Sequence, residues 1–82
     1  MARTRLDLTG LKCPLPALMT GKALRSLAVG EQLEVLCTDP LAIIDIPVLI
    51  QRTGNTIEAT ERSGDTTTFL IEKRNGVIAN SD

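Results

Sequence analysis

The stretch Gln32-Leu33-Glu34-Val35-Leu36-Cys37-Thr38-Asp39-Pro40 decides how this chain folds. Its first six residues, high in apolar content, predict a strand in the middle of a sheet. Thr38-Asp39-Pro40 then reads as a helix start, with Asp39 accepting from backbone donors as the cap and Pro40 suited to the first helical position. The helix is expected to run to about Arg52 and to stop at Gly54. Pro47 inside it removes one backbone hydrogen bond, which predicts a kink or a late start.

Working outward towards the N-terminus, Thr4 to Leu8 alternates charged and apolar residues as a short strand does. Thr9 to Lys12 is a loop. Pro14 to about Ala28 has the composition of a helix, with Gly30 just past its end as a left-handed cap. Towards the C-terminus, Thr56 to Arg62 and Thr66 to Lys73 read as strands joined by a hairpin at Ser63-Gly64-Asp65. Asn75 to Asp82 reads as a frayed tail. The order is β-α-β-α-β-β. The first strand-helix-strand unit predicts a right-handed crossover between parallel strands, and the hairpin adds antiparallel pairing. Two helices cannot cover both faces of four strands, so both are expected on one face. The expected fold is a two-layer α/β (α+β) sandwich with a mixed four-stranded sheet, one domain over residues 1–82 with its core at about 4–74.

Composition narrows the chemistry. The chain has 82 residues, 9 Lys+Arg against 10 Asp+Glu, and no His. A net charge of −1 gives no basic field for direct nucleic-acid binding. Phe69 is the only aromatic residue, so there is no base-stacking platform. Without His, imidazole acid–base chemistry and His metal sites are excluded, and no metal or other cofactor is expected. The start, MARTRLDLTG, lacks the apolar centre of a signal peptide. The apolar run Leu41 to Ile50 holds Asp45 and Pro47 and is too short to span a bilayer, so a soluble cytoplasmic protein is expected. Cys13 and Cys37, the two cysteines, are too far apart in sequence for a C-x-x-C pair. A disulfide between them is compatible with the spacing, although small oxidised scaffolds are usually much denser in cysteine. Cys37, ending a hydrophobic strand, suits core packing.

The informative site is Gly10-Leu11-Lys12-Cys13-Pro14-Leu15-Pro16. Pro14 and Pro16 remove two of the donors that a helix start leaves unpaired, and they stiffen the entry. Cys13 then falls at the cap position, with the Leu15 and Ala17 N–H groups expected to point at its sulfur and Lys12 adding positive charge. That arrangement predicts a thiol pKa below its ordinary value. With no His as base, a cysteine-protease or acyltransferase mechanism has no proton acceptor. Exchange at sulfur suits such a site: a thiolate takes the outer sulfur of a donor persulfide and passes it on.

At this motif the sequence resembles the TusA/SirA-like family of small sulfur-carrier proteins, over about Leu6 to Arg74. The resemblance rests on Leu6-Asp7, the C-P-x-P motif at Cys13 to Pro16, Gly30-Glu31, Thr38-Asp39-Pro40 and Asp45-Ile46-Pro47. It implies the β-α-β-α-β-β sandwich, and a persulfide on Cys13 supplied by a cysteine desulfurase or rhodanese-like protein. It further implies delivery to an acceptor such as a DsrE-type protein, serving tRNA thiolation, sulfur oxidation, molybdenum-cofactor assembly or selenium metabolism. The tRNA-thiolation branch typically has Glu where this chain has Leu15, Arg where it has Gly21, and an aromatic where it has a polar residue near Arg52. These departures concern partners rather than sulfur handling. Asp39 matches an acidic position linked to partner binding, and a helix cap explains it equally well.

Helical spacing adds a surface. On the first helix Ala17, Gly21, Leu24 and Ala28, with Thr20 and Leu27, are expected to face the sheet. Leu15, Leu18 and Met19 would form an exposed apolar collar around the thiol, with Lys22 and Arg25 behind it, a pattern suited to transient docking. On the second helix apolar residues circle most of the circumference, and Asp45 is expected on its wettest side. The excess apolar surface suits packing on the first helix, a partner or a homodimer. Arg3, Arg5 and Lys12 make the N-terminal approach basic. Two other functional classes fit the residues: a redox-sensing regulatory module using Cys13, and an interaction domain that does not need the thiol.

Overall fold

The computed structural model describes residues 3–74, so the expected tail at Asn75 to Asp82 lies outside the described residues. In chain order the elements are β1 (Arg3–Leu8), α1 (Leu15–Arg25), β2 (Gln32–Cys37), α2 (Pro40–Arg52), β3 (Thr56–Ser63) and β4 (Thr66–Glu72). The sheet order is β1-β2-β4-β3. β1 pairs parallel to β2 across the α1 crossover, while β4 pairs antiparallel to both β2 and β3.

Alternation in the two central strands builds the core, because successive side chains on a strand point to opposite faces. β2 buries Leu33, Val35 and Cys37, and β4 buries Thr67, Phe69 and Ile71. The register sets Leu33 opposite Ile71, Val35 opposite Phe69 and Cys37 opposite Thr67. Helix α1 lays Pro16, Thr20, Gly21 and Leu24 against this face, and α2 lays Ala42, Ile46 and Ile50. Both helices therefore share one face, as the two-layer sandwich requires. Each fully buried aliphatic or Phe side chain contributes about 1.5–3 kcal/mol by leaving water. The helices meet at Gly21, where a Cβ would lie 3.7 Å from Leu49 Cδ2, an ordinary van der Waals contact that the packing has room for.

Three local expectations change. Helix α1 ends at Arg25 rather than near Ala28, so Ala28 is exposed and Pro16 takes a place on the buried face. Its last turn tightens through Ser26 N–H to Ala23 O and Leu27 N–H to Leu24 O, each at 3.1 Å. The Lys73 ammonium, 5% exposed, also donates to Leu24 O. That carbonyl is thus satisfied by a charge from the far end of the chain, which favours a helix end at this point. Gly30 does adopt a left-handed φ of 95°, but in the link to β2 rather than as the helix cap; its N–H donates to Lys73 O at 2.7 Å. Helix α2 starts at Pro40 and continues past Pro47, so no late start occurs.

The hairpin closes through Gly64-Asp65, with Gly64 at φ 62°. β3 is an edge strand, exposed along most of its length, and a bulge between Ile57 and Ala59 leaves Glu58 out of register. Among the described residues no helix is long and apolar enough to cross a membrane.

Candidate functional site at the β1–α1 junction

The loop after β1 is tied down residue by residue. Asp7 Oδ1 accepts the Thr9 backbone N–H at 3.0 Å and the Thr9 hydroxyl at 2.7 Å, a local turn that ends the strand. Its hydrogen bonds to Thr9 hold the Asp7 carboxyl below the usual range. Gly10, at φ 85°, donates its N–H to Thr38 Oγ1 at 2.9 Å. The next tie is at Cys13, whose N–H donates to Asp39 Oδ2 at 2.8 Å. The segment that connects β2 to α2 thereby anchors the segment that connects β1 to α1. Asp39 does occupy the cap position of α2, but its side chain makes no hydrogen bond to that helix. The carboxylate caps a neighbouring loop instead, which corrects the sequence expectation.

The geometry at Cys13 also differs from the expected cap. Pro14 holds the position before α1, and the Cys13–Pro14 peptide is cis. Leu15 N–H donates to Lys12 O at 2.9 Å, so it is not directed at the sulfur. The half-buried thiol instead donates to Asp45 Oδ2 at 3.0 Å. That bond, then partial desolvation, then the charges of Asp45 and Asp39 raise the thiol pKa above its ordinary value. The expectation of a lowered pKa is reversed, because the helix entry is neighboured by two carboxylates that its local sequence does not reveal. Lys12 is exposed and makes no side-chain hydrogen bond to the thiol.

Asp45 is the residue that sequence reasoning missed. It was expected on the wettest side of α2, but it is half-buried beside the thiol, and the exposed side carries Leu41, Ile44 and Val48. The available signals were a single carboxylate inside an otherwise apolar helix and the Asp45-Ile46-Pro47 element of the family resemblance. Leu15, Leu18 and Met19 are exposed on α1, as are Lys22 and Arg25. Pro16 is buried, Ala17 half-buried, and Pro14 exposed. Cys37 is fully buried, in line with a core role, and burial followed by the Asp39 charge raises its pKa. Both cysteines are free thiols. No group of three or more potential metal ligands occurs among the described residues.

A four-stranded mixed sheet backed by two helices, presenting one partly accessible thiol where a strand hands over to a helix, places the chain in a class. Residues 4–73 match the family described as Sulfurtransferase TusA, and the chain belongs to that family. The sulfur carrier protein TusA of Allochromatium vinosum is 38% identical over 68 residues, which cover 83% of this chain and 90% of that protein. Family membership supports a role in carrying sulfur between a donor and an acceptor.

Proposed function

We propose that Cys13 carries sulfur as a persulfide, received from a cysteine desulfurase or rhodanese-like donor and relayed to an acceptor protein such as a DsrE-type partner. The observation that carries this reading is the placement of Cys13: it is the thiol at the surface of a TusA-family chain whose second cysteine is sealed in the core.

In the loading step the Cys13 thiolate attacks the outer sulfur of the donor persulfide. A bond forms between Cys13 Sγ and that sulfur, the donor's S–S bond breaks, and the donor leaves as a thiolate that takes up a proton. Sulfane sulfur changes hands with no net oxidation. Delivery is the same exchange with Cys13 as leaving group. The protein is consumed and regenerated stoichiometrically within a relay set in the reducing cytoplasm. The collar of Leu15, Leu18 and Met19 with Lys22 and Arg25 at its rim is the docking surface for donor and acceptor. Gly21, buried against Leu49, offers no side chain to such a partner. The end use falls among tRNA thiolation, sulfur oxidation and cofactor sulfuration.

Incubation with a cysteine desulfurase and cysteine tests this. Intact mass is expected to rise by one sulfur, to return to the starting value on reduction, and to stay constant in Cys13→Ser. A Cys13→Ser chain that still takes up sulfur would refute the assignment.

A further inference from the structure

We propose that Asp45 is a positioning residue that holds Cys13 in its S–H form, on a fixed side-chain direction, until a sulfur donor displaces the contact. This rests on Cys13 being the sulfur-bearing thiol. The geometry is direct: Sγ lies 3.0 Å from Asp45 Oδ2, and a carboxylate at that distance is an acceptor for the thiol proton. The backbone of the same residue is fixed by Asp39 through the 2.8 Å bond to Cys13 N–H. Two carboxylates from α2 and its start thus grip one residue at two atoms. The charged groups facing the thiol are Asp45 and Asp39, while Lys12, on the thiol's own loop, extends into solvent.

The consequence is a thiol that is accessible yet restrained. Forming the thiolate removes the proton that bridges Sγ and Oδ2 and leaves two negative groups facing each other, so the ionised form is disfavoured while the contact lasts. A donor that docks and separates Sγ from Asp45 removes this restraint at the place where the thiolate is needed. After loading, the persulfide carries its charge on the outer sulfur, one bond further from Sγ. A carrier exposed to many small electrophiles and disulfides gains selectivity from such an arrangement, because free Cys13 reacts slowly with anything that does not displace the carboxylate.

The test uses the full chain and a neutral reagent. Alkylation of Cys13 by iodoacetamide is followed by mass spectrometry between about pH 6 and 10 in the native protein, Asp45→Asn and Asp45→Ala. A fall of one unit in a thiol's pKa raises its thiolate fraction about tenfold well below that pKa. It also lowers intrinsic nucleophilicity about threefold, leaving a net gain of about threefold. The expected result is therefore a pair of crossing profiles. Asp45→Asn reacts several-fold faster near neutral pH, inflects at lower pH, and is no faster once both thiols are ionised. Loosened structure alone would accelerate reaction at every pH without moving the inflection, and would expose Cys37, which is expected to stay unmodified. Superimposable profiles, or acceleration with an unmoved inflection, in whichever variant folds would overturn the proposal. Alkylation needs no sulfur donor, so the two readings separate. Failure of the native protein to accept sulfur refutes the carrier role alone, and unmoved inflections with normal loading refute the role of Asp45 alone.

Discussion

Asp39 and Cys13 are joined across the top of the sheet by a 2.8 Å hydrogen bond from the Cys13 backbone N–H to Asp39 Oδ2. The carboxylate at the start of α2 thereby restrains the entry to α1. A hydrogen bond to a charged acceptor contributes enough that its loss changes a local opening equilibrium about tenfold or more. In Asp39→Ala, amide exchange at Cys13 is expected to accelerate by that order, measured by hydrogen–deuterium exchange, while the β2 and β4 amides retain their protection.

Ile46 is fully buried on the face of α2 that meets the sheet. Truncation to Ala leaves a cavity that close-packed neighbours fill only in part, and such changes cost about 2–5 kcal/mol. Urea denaturation of Ile46→Ala is expected to show a loss in that range. Ile44, on the exposed side of the same helix, makes the comparison: Ile44→Ala is expected to lie within about 0.5 kcal/mol of the native protein.

Stability should also depend on pH through the Glu58–Glu72 pair at the β3 bulge. The hydrogen bond to Glu72, then desolvation, then the Glu72 charge raise the Glu58 pKa, partly opposed by Arg74. A carboxyl whose folded-state pKa exceeds its unfolded value binds more protons when folded. Its contribution is therefore fully present below the unfolded pKa and is lost as pH rises through the folded one. Glu58→Gln is expected to remove this loss, so the variant gains on the native protein between acidic and neutral pH in parallel denaturation series. A variant that loses ground over that interval would show that the two carboxyls do not oppose each other.

The collar on α1 separates docking from folding. Met19→Glu and the charge reversals Lys22→Glu and Arg25→Glu alter exposed positions, so thermal denaturation is expected to change little. Sulfur loading from a donor protein is expected to slow several-fold, most clearly at sub-saturating donor. Unchanged loading from every donor tested would remove the collar from the docking surface.

The architecture was legible because its signals are local. The apolar content of residues 32–37, the Asp39-Pro40 start and the Gly64-Asp65 turn each specify structure within a few residues. The thiol was legible for the same reason, through prolines on one side and a glycine loop on the other. Its electrostatics were not. Asp45 lies 32 residues further along the chain and meets Cys13 only when α2 packs beside α1. The end of α1 was obscured in the same way. Ser26, Leu27 and Ala28 suit a helix, but Leu24 O is satisfied by Lys73, 49 residues away. Contacts of that separation leave no local pattern to read.

The buried ammonium of Lys73 also fastens two distant parts of the chain. The helix that follows the thiol receives a charged terminal partner from the residue just beyond β4, a strand that lies between β2 and β3. A chain truncated after residue 72 would keep every strand and the thiol but lose that clasp on Leu24 O. One side chain past the last strand is in this way a rivet for the helix that begins at the site.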